Sequence, residues 1–370
     1  MSILGLHHIT LVSSDARQTA DFYTRVLGLR LVKKTVNFDD PSSYHLYFGD
    51  STGSPGSAIT FFEWSHVPKG KHGIGGTHHF ALTVADYDGL LKWKRRLADL
   101  DIKVAGPYDR HYFKSIYFKD PDGVNIEIAT AGPGFAIDEE PDKLGQIHLP
   151  PPADMMISNR DEETIRAITY NEPVSVITAD MALKYGMHHI TVIGSDIKAT
   201  NAFYTDVLGL NRVKMTDNFD DSNSAHWYWG SEDGRPGTLI TYFEHKPREG
   251  YRPHHAQVGI GMTHHFAFAV KDEDVQREYM GRLSRAGYRV SQILDRTYFR
   301  SIYSHDPDGH IVELATLGPG FDVDEDVATL GTQLMLPSWL EGQRALIEKR
   351  LKPIDIEPWQ EPIEASEVAE

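Results

Sequence analysis

The sequence predicts an α+β fold of four βαβββ modules, arranged as two open-barrel domains that arose by internal duplication. Two observations support this fold class. Landmarks of the first half recur in the second, so that His8 in LHHIT matches His189 in MHHIT at a spacing of 189 − 8 = 181 residues. Each half also starts over, with a second His-His pair that ends at His79 or His265 and opens another predicted strand. The chain of 370 residues is long enough for two domains of ordinary size.

The first module shows why each element is expected. Residues 6–13 alternate and are rich in β-branched side chains, which predicts a strand. Residues 15–27 have apolar side chains at helical spacing, with Asp15 suited to an N-cap and Gly28 suited to end the helix. Aromatic and β-branched runs then predict three further strands, at residues 29–35, 44–48 and 57–64.

The other modules repeat this order. The second is predicted to contain a helix over residues 87–100 and strands over 77–84, around Val104, and over 112–118 and 124–130. The third and fourth modules run over about residues 186–245 and 261–321. Later landmarks shift by 313 − 127 = 186, so five extra residues (186 − 181) lie between Glu244 and Thr263 and predict a longer loop.

These boundaries divide the chain into two domains and two covering segments. Residues 1–135 form the first predicted domain and residues 185–321 the second. Residues 136–184 are a predicted linker and cover, with a short helix over 161–168, and residues 322–370 a C-terminal cover helix, over 338–349, with an acidic tail. Both covering segments follow a GPGF motif and contain a Leu-Gly pair, which predicts that they cover equivalent ends of the sheets.

Composition excludes several classes of function. The formal net charge of −16, from 37 basic and 53 acidic residues, argues against a nucleic-acid partner, because phosphate binding requires a basic face. The absence of cysteine excludes disulfides and thiolate-bound zinc. The N-terminal residues lack the pattern of a signal peptide, and no apolar run reaches the ~18 residues of a membrane helix. We therefore expect a soluble, cytoplasmic protein without a membrane partner.

Two glutamates in predicted strands indicate metal sites. Glu313 lies in GHIVELATLGPGF and Glu127 at the same place in GVNIEIATAGPGF. A carboxylate in an apolar strand is costly unless something pairs with it. Neighbouring strand residues point to opposite faces, so only one histidine of each His-His pair faces a given site, while its companion faces away or lies in a bulge. Two imidazoles and one carboxylate on one sheet face form the set that suits non-haem Fe(II).

A single histidine in an apolar strand is more often a core residue than a ligand. Four His-His pairs in register, with two glutamates in register, favour ligands instead. Which three of the six candidates share a metal depends on which modules pair, and the spacing leaves that open.

Several of these motifs carry a resemblance to a known family. They include LHHIT, LVKKTVNFDDPSSYHLYFGD, THHFAFAV, DRTYFRSIYSHDPDG and VELATLGPGF, and together they span nearly the whole chain. The chain resembles the vicinal oxygen chelate superfamily of glyoxalase I, extradiol dioxygenases and antibiotic-resistance proteins. Within it, the sequence is similar to the hydroquinone-type ring-cleaving dioxygenases.

This resemblance implies particular roles for individual residues. The iron ligands would come from the first and last modules, as His8, His265 and Glu313. The polar groups that assist catalysis would be Thr10, His264, Arg296 and Tyr303, with His7 as a further candidate. For Tyr303 the alternative is a core aromatic residue, and for Arg296 a surface ion pair. A second complete ligand set is present as His79, Glu127 and His189, with Arg110 and Tyr117 where Arg296 and Tyr303 stand. The resemblance favours the first set as the active site and leaves the second as another iron site or a vestige.

One position separates two types of enzyme. Glyoxalases of this superfamily have an acid on the last strand of both modules that build a site. Here the matching positions, four residues after Gly56 and Gly237, are Thr60 and Thr241. Glu63 is three residues further on, which in a regular strand is the opposite face. Three protein ligands leave open positions on the metal and favour a dioxygenase.

The sequence therefore predicts an Fe(II)-dependent dioxygenase that inserts both atoms of O₂ into a hydroquinone-type or catechol-type diol. Its ligands would be a small aromatic substrate and O₂, with no organic cofactor. Manganese, zinc or nickel are the alternative metals. The rival functions are a glyoxalase-like, metal-dependent lyase or isomerase and a small-molecule binding or resistance protein. The particular diol and the oligomeric state stay open, and a homo-oligomer is one expectation from relatives of this fold.

Overall fold

The computed structural model describes residues 2–38, 40–183, 185–364 and 366. Asp39, in the repeated NFDD motif, and the last residues of the acidic tail lie outside the described residues. The predicted βαβββ order is present in every module. The first module consists of β1 (Gly5–Ser13), α1 (Ala16–Asp21), β2 (Arg30–Val36), β3 (Tyr44–Gly49) and β4 (Ala58–Glu63). The second consists of β5 (Gly76–Val84), α2 (Tyr87–Asp99), β6 (Ala105–Asp109), β7 (Lys114–Lys119) and β8 (Asn125–Thr130).

The second half follows after a covering segment. This segment contains α3 (Glu162–Ala167). The third module consists of β9 (Met187–Gly194), α4 (Ile197–Asn201), β10 (Asn211–Asn218), β11 (Asp221–Gly230) and β12 (Leu239–Glu244). The fourth consists of β13 (Thr263–Val270), α5 (Glu273–Arg285), β14 (Leu294–Asp295), β15 (Phe299–His305) and β16 (Ile311–Pro319). The chain then continues to α6 (Arg344–Arg350).

Each module helix begins at an aspartate that caps it. The carboxylate of Asp15 accepts hydrogen bonds from the backbone N–H groups of Arg17 and Gln18, as predicted for an N-cap. Asp86, Asp196 and Asp272 begin the other three module helices in the same way. The first helix is α-helical over fewer residues than predicted, because it continues after Asp21 as the π-helical turn Phe22–Val26. The C-terminal helix is also shorter than predicted, because residues 341–343 form a 3₁₀ turn before α6 begins.

The strands form two eight-stranded, curled sheets. The outer sheet combines the first and last modules in the order β14-β15-β16-β13-β1-β4-β3-β2. The inner sheet combines the two middle modules in the order β10-β11-β12-β9-β5-β8-β7-β6. At the centre of each sheet, the first strands of its two modules pair antiparallel. The pairing thus crosses the division into residues 1–135 and 185–321: each sheet takes one module from each half.

Alternation along β1 separates the core from the site. Ile9 and Leu11 join the main apolar core, which also contains the buried faces of the module helices. His8 and Thr10 point to the other face, which lines a pocket. The period of two that was read from the sequence therefore places the polar side chains of β1 together.

The two covering segments dock through equivalent buried lysines. Lys33 of the outer sheet is ion-paired with Asp324 and Glu325, from the segment after the fourth module. Lys214 of the inner sheet lies 2.7 Å from both Asp138 and Glu139, from the segment after the second module. A buried ammonium group is costly unless it is paired. Each cover is thus fixed to the sheet whose pocket it borders.

Candidate metal centres

Three ligand atoms converge in the outer sheet. His8 Nε2 lies 3.2 Å from His265 Nε2, and these nitrogens lie 3.3 and 3.0 Å from Glu313 Oε2. The two histidines come from paired strands β1 and β13, and the glutamate from β16 beside β13. All three side chains are buried. We call this set the outer triad.

The inner sheet holds a second set with nearly the same geometry. His79 Nε2 lies 3.1 Å from His189 Nε2, and these nitrogens lie 2.8 and 3.3 Å from Glu127 Oε2. This inner triad is likewise buried. The structure therefore assigns the six candidate ligands to two sets of three, and the pairing of the modules decides the sets.

The spacing of the ligand atoms fits a shared metal ion. Two ligands roughly 2.1 Å from one ion and at right angles to each other are roughly 3 Å apart. The buried Oε2 atoms of Glu313 and Glu127 have no hydrogen-bond partner among the described residues, although ring nitrogens lie close to them. A cation between these atoms would satisfy them. Two imidazoles and a carboxylate are the donor set that leaves open positions on non-haem iron.

A β-bulge turns both histidines of each pair toward one another. The register of β1 against β13 shifts between Leu6 and His8, so that His7 is the bulged residue. His7 Nδ1 then lies 2.9 Å from His8 Nδ1. The other three pairs have the same Nδ1–Nδ1 contact at 2.7 to 2.9 Å. The companion histidine thus lies in a bulge, one of the two predicted outcomes.

This contact fixes which nitrogen of His8 can bind a metal. His7 Nε2 lies 3.1 Å from the carbonyl oxygen of Thr316, so this nitrogen must carry a proton. Because burial, and then His8, lowers the pKa of His7 to about 3, His7 is neutral and its Nδ1 accepts a proton from His8 Nδ1. His8 Nε2 is then left with a free lone pair, facing Glu313. A backbone partner that sets the tautomer of a metal ligand is typical of metal sites.

The carboxylate of the triad is held in its ionised form. Burial alone raises the pKa of Glu313, but His8 and His265 outweigh it and hold that pKa well below its usual range. Ser301 donates a hydrogen bond to Oε1 of Glu313 and leaves Oε2 for the triad. Glu127 has the same arrangement with Ser115.

The polar residues predicted to assist catalysis surround the outer triad. Thr10 Oγ1 lies 3.0 Å from His265 Nε2. Arg296 lies over the ring of Tyr303 and donates from Nε to its hydroxyl oxygen at 3.2 Å. His264, Arg296 and Tyr303 all line a pocket of about 200 Å³ that also contains His8 and His265. Neither bland alternative, core packing for Tyr303 or a surface ion pair for Arg296, describes these positions.

Two pocket residues were missed in the sequence. His45 and Tyr47 line the pocket and begin a chain of contacts: Tyr47 OH to His45 Nδ1 is 3.0 Å, and His45 Nε2 to Thr60 Oγ1 is 3.0 Å. Thr60 continues to Thr10 Oγ1 at 2.8 Å. A signal was present, since His226 and Tyr228 recur 181 residues later and make the matching contacts.

The fourth ligand position holds a threonine in both sheets. Thr60 is in register with Thr10 on β1, and Thr241 with Thr191 on β9, so these side chains face the sites. Glu63 points away from the triad and accepts a hydrogen bond from the backbone of Ala16 at 3.0 Å. The predicted orientation of both positions is therefore confirmed. Each triad has three protein ligands rather than four.

None of the helices in the described part of the chain combines the length and apolarity that crossing a membrane requires.

The fold and the two triads define a class of metal-dependent enzyme, and comparisons with known proteins agree. The family model of the Glyoxalase/Bleomycin resistance protein/Dioxygenase superfamily matches residues 5–128 and 186–314. The chain belongs to this superfamily, which confirms the resemblance and the fold class. It is also similar to the solved structure of glyoxalase I from Zea mays, at 16% identity and a TM-score of 0.56, over 89% of this chain and 97% of that one.

The similar proteins that cover the whole chain are dioxygenases by name. MhqO of Bacillus subtilis, named as a ring-cleaving dioxygenase, is 32% identical over 95% of this chain and 97% of its own length. The chlorohydroquinone/hydroquinone 1,2-dioxygenase of Sphingobium indicum is 29% identical over 91% of this chain and 92% of its own. The crystal structure of a Bacillus subtilis protein named as a dioxygenase superposes with a TM-score of 0.75 at 29% identity, covering 96% of this chain and 99% of that one.

Proposed function

We propose that this protein is an Fe(II)-dependent, ring-cleaving dioxygenase that inserts both atoms of O₂ into a hydroquinone-type aromatic diol at the outer triad. The observation that carries the proposal is a three-ligand centre, with Thr60 at the fourth position, beside an aromatic pocket of about 200 Å³. The names of the whole-length relatives supply the substrate class. Catechol-type diols are the nearest alternative substrates.

The outer triad would hold the metal through His8, His265 and Glu313. When bound, Fe(II) would supply the electron transfer by which O₂ reacts with a deprotonated aromatic diol. The donor set favours iron among the candidate metals because two histidines and one carboxylate leave open positions. Manganese, zinc and nickel remain the alternatives to exclude by reconstitution.

The walls of the outer pocket position a flat ring. Phe299 lies against His8 with ring centroids 5.3 Å apart, and Phe62 lies 6.4 Å from His265. Trp64 stacks on Phe62 at an interplanar angle of 6° and narrows the pocket. Such aromatic walls exclude water and hold an aromatic substrate close to the triad, which removes part of the entropic cost of reaction.

Tyr303 is suited to donate a proton to the substrate or to the reacting oxygen. Burial and the nearby Glu313 raise its pKa, so the phenol stays protonated at neutral pH. Its oxygen accepts a hydrogen bond from Arg296, which leaves the phenolic proton free to point into the pocket. A positioned acid of this kind assists bond cleavage.

His264 provides a second donor at the pocket wall. Its Nδ1 lies 2.8 Å from Nδ1 of His265. If His265 binds the metal through Nε2, its proton is on Nδ1 and is donated to His264. The neutral His264 then carries its own proton on Nε2, where it can hydrogen-bond to substrate. Burial, and then His265, lowers the pKa of His264 to about 3, so this ring is neutral at physiological pH.

The proposal is tested by oxygen uptake. The protein is prepared without oxygen, loaded with Fe(II), and given hydroquinone, methylhydroquinone, chlorohydroquinone or catechol. We expect one O₂ to be consumed for each ring opened, and no uptake after loading with Zn(II). Bound iron without uptake on any of these diols would overturn the proposal, and isomerisation of a hemithioacetal by the Zn(II) or Ni(II) form would establish the lyase alternative instead.

A further inference from the structure

The inner triad has its own tautomer-setting partners and its own pocket. His188 Nδ1 lies 2.9 Å from His189 Nδ1, and the backbone of Thr130 is hydrogen-bonded to His188, as Thr316 is to His7. Arg110 donates from Nε to the hydroxyl of Tyr117 at 3.2 Å, as Arg296 does to Tyr303. A vestigial set would have no physical need for these supporting contacts.

The two pockets differ in size. The inner pocket has a volume of about 750 Å³, against about 200 Å³ for the outer one. Most residues that line the outer pocket have an equivalent in the inner one, including His226, Phe243, Arg110 and Tyr117. The additional volume is an annex that begins where these shared walls end.

Trp64 explains why the outer pocket has no annex. It stacks on Phe62, lies edge-on to His264 with ring centroids 5.4 Å apart, and lines the pocket. The equivalent residue in the inner sheet is His245 (64 + 181), which is not among the described residues that line the inner pocket. Its Nδ1 is instead 2.8 Å from the hydroxyl of Tyr251, in the longer loop predicted from the sequence.

The annex has apolar walls and a balanced set of charges. Its apolar residues are Ile102, Val104, Ala105, Phe118 and Ile157, the last of which comes from the covering segment and is 49% exposed. The charges nearest to it form a network in which Asp220 binds both Arg110, at 2.9 Å, and Arg160, at 2.6 Å. Such walls favour an uncharged apolar group over an ionic one.

We propose that the inner triad is a second metal centre, and that its annex accepts aromatic diols that carry a second ring or a similarly large apolar group. The reaction assigned to it rests on the proposed function of the outer centre. In that reaction a carbon–carbon bond of the diol ring breaks, both atoms of O₂ form bonds to carbon, and the ring supplies the four electrons that O₂ accepts.

The test begins with binding, so that it does not depend on turnover. Iron is counted per chain in the wild type, in Glu127→Gln and in Glu313→Gln after loading with Fe(II). Phenylhydroquinone is then titrated by calorimetry without oxygen into each protein. We expect two irons in the wild type and one in each variant, and we expect the heat of phenylhydroquinone binding to vanish in Glu127→Gln and to persist in Glu313→Gln.

A second variant guards against a folding defect at Glu127. His245→Trp leaves the inner triad intact and places at the annex the side chain that narrows the outer pocket. We expect it to keep two irons and to weaken phenylhydroquinone binding at least about tenfold, since pocket contacts of this size are worth ~10–200-fold.

The outcomes separate the two proposals. One iron in the wild type, unchanged by Glu127→Gln, would overturn the second centre, and so would phenylhydroquinone binding that Glu313→Gln abolishes. Two irons with inner-site binding, but no oxygen uptake on any diol, would leave the second centre standing as a binding site and would overturn the proposed function. Oxygen uptake on phenylhydroquinone that Glu127→Gln abolishes would establish the second centre as catalytic.

Discussion

The outer and inner centres have nearly the same triad but very different pockets. Within each triad the ligand atoms lie 2.8 to 3.3 Å apart, because each triad uses the same bulges and the same strand register. The pocket volumes of about 200 and 750 Å³ differ mainly at Trp64 and its equivalent His245. The comparison teaches that the duplicated residues determine the metal chemistry, whereas residues that differ between the halves determine which substrate fits.

The largest effect is expected from the acid at the outer centre. Tyr303→Phe removes the phenolic proton and keeps the ring. We expect kcat for hydroquinone to fall by ~10²–10⁴, the usual contribution of a positioned acid, while the iron content stays unchanged. Steady-state oxygen uptake together with iron analysis measures both quantities.

Tyr117→Phe is the matched control for this substitution, because Tyr117 occupies the same position in the inner centre. It should affect turnover of phenylhydroquinone rather than hydroquinone. A Tyr303→Phe enzyme with wild-type kcat would assign Tyr303 to packing alone.

A smaller effect is expected from the residue that limits the outer pocket. Trp64→His replaces the tryptophan with the side chain found at the inner centre. We expect kcat/KM for phenylhydroquinone at the outer centre to rise by ~10–200-fold, measured in a Glu127→Gln background that silences the inner centre. Unchanged kcat/KM for phenylhydroquinone would show that some other wall limits the pocket.

The residue that sets the tautomer of His8 should act on metal affinity. His7→Phe removes the proton acceptor for His8 Nδ1 and leaves the three ligands in place. We expect the affinity of the outer centre for Fe(II) to fall by ~10–100-fold, the usual effect of removing such a partner. Competition with a chelator measures this affinity. His188→Phe should weaken the inner centre instead, and a loss at both centres from either variant would contradict this assignment.

The smallest effect is expected on stability. A metal that binds only the folded chain stabilises it by about 2.7 kcal/mol per site at a free concentration one hundred times Kd. Zn(II), which does not turn over, should therefore raise the midpoint of thermal unfolding in the wild type and raise it less in Glu127→Gln or Glu313→Gln. An equal shift in all three proteins would show that the metal binds elsewhere.

Much of the fold could be predicted from sequence because its signals are local. The alternation around His8 and Thr10 and the N-cap at Asp15 need only neighbouring residues to be recognised. The pairing of the modules could not be predicted in this way. It depends on the register of β1 against β13, more than 250 residues apart in the chain, and no local pattern encodes that contact.

The candidate ligands were likewise predictable, whereas the pocket was not. Glu313 stands out because a carboxylate in an apolar strand needs a partner. His45 was missed because it is a single histidine in a strand, without the doubled pattern of the other sites. The importance of Trp64 becomes visible only when the two pockets are compared, since its effect depends on packing against Phe62 and His264.

The measurement that tests the central claim most directly is oxygen labelling at the outer centre. The Fe(II)-loaded wild type and Glu313→Gln are each given hydroquinone under ¹⁸O₂, and the ring-opened product is analysed by mass spectrometry. We predict that the wild-type product carries both labelled atoms and that Glu313→Gln, with iron still bound at its inner triad, forms at least about a thousandfold less of it. A product with one labelled atom or none, or undiminished product from Glu313→Gln, would contradict the assignment of ring cleavage to the outer triad.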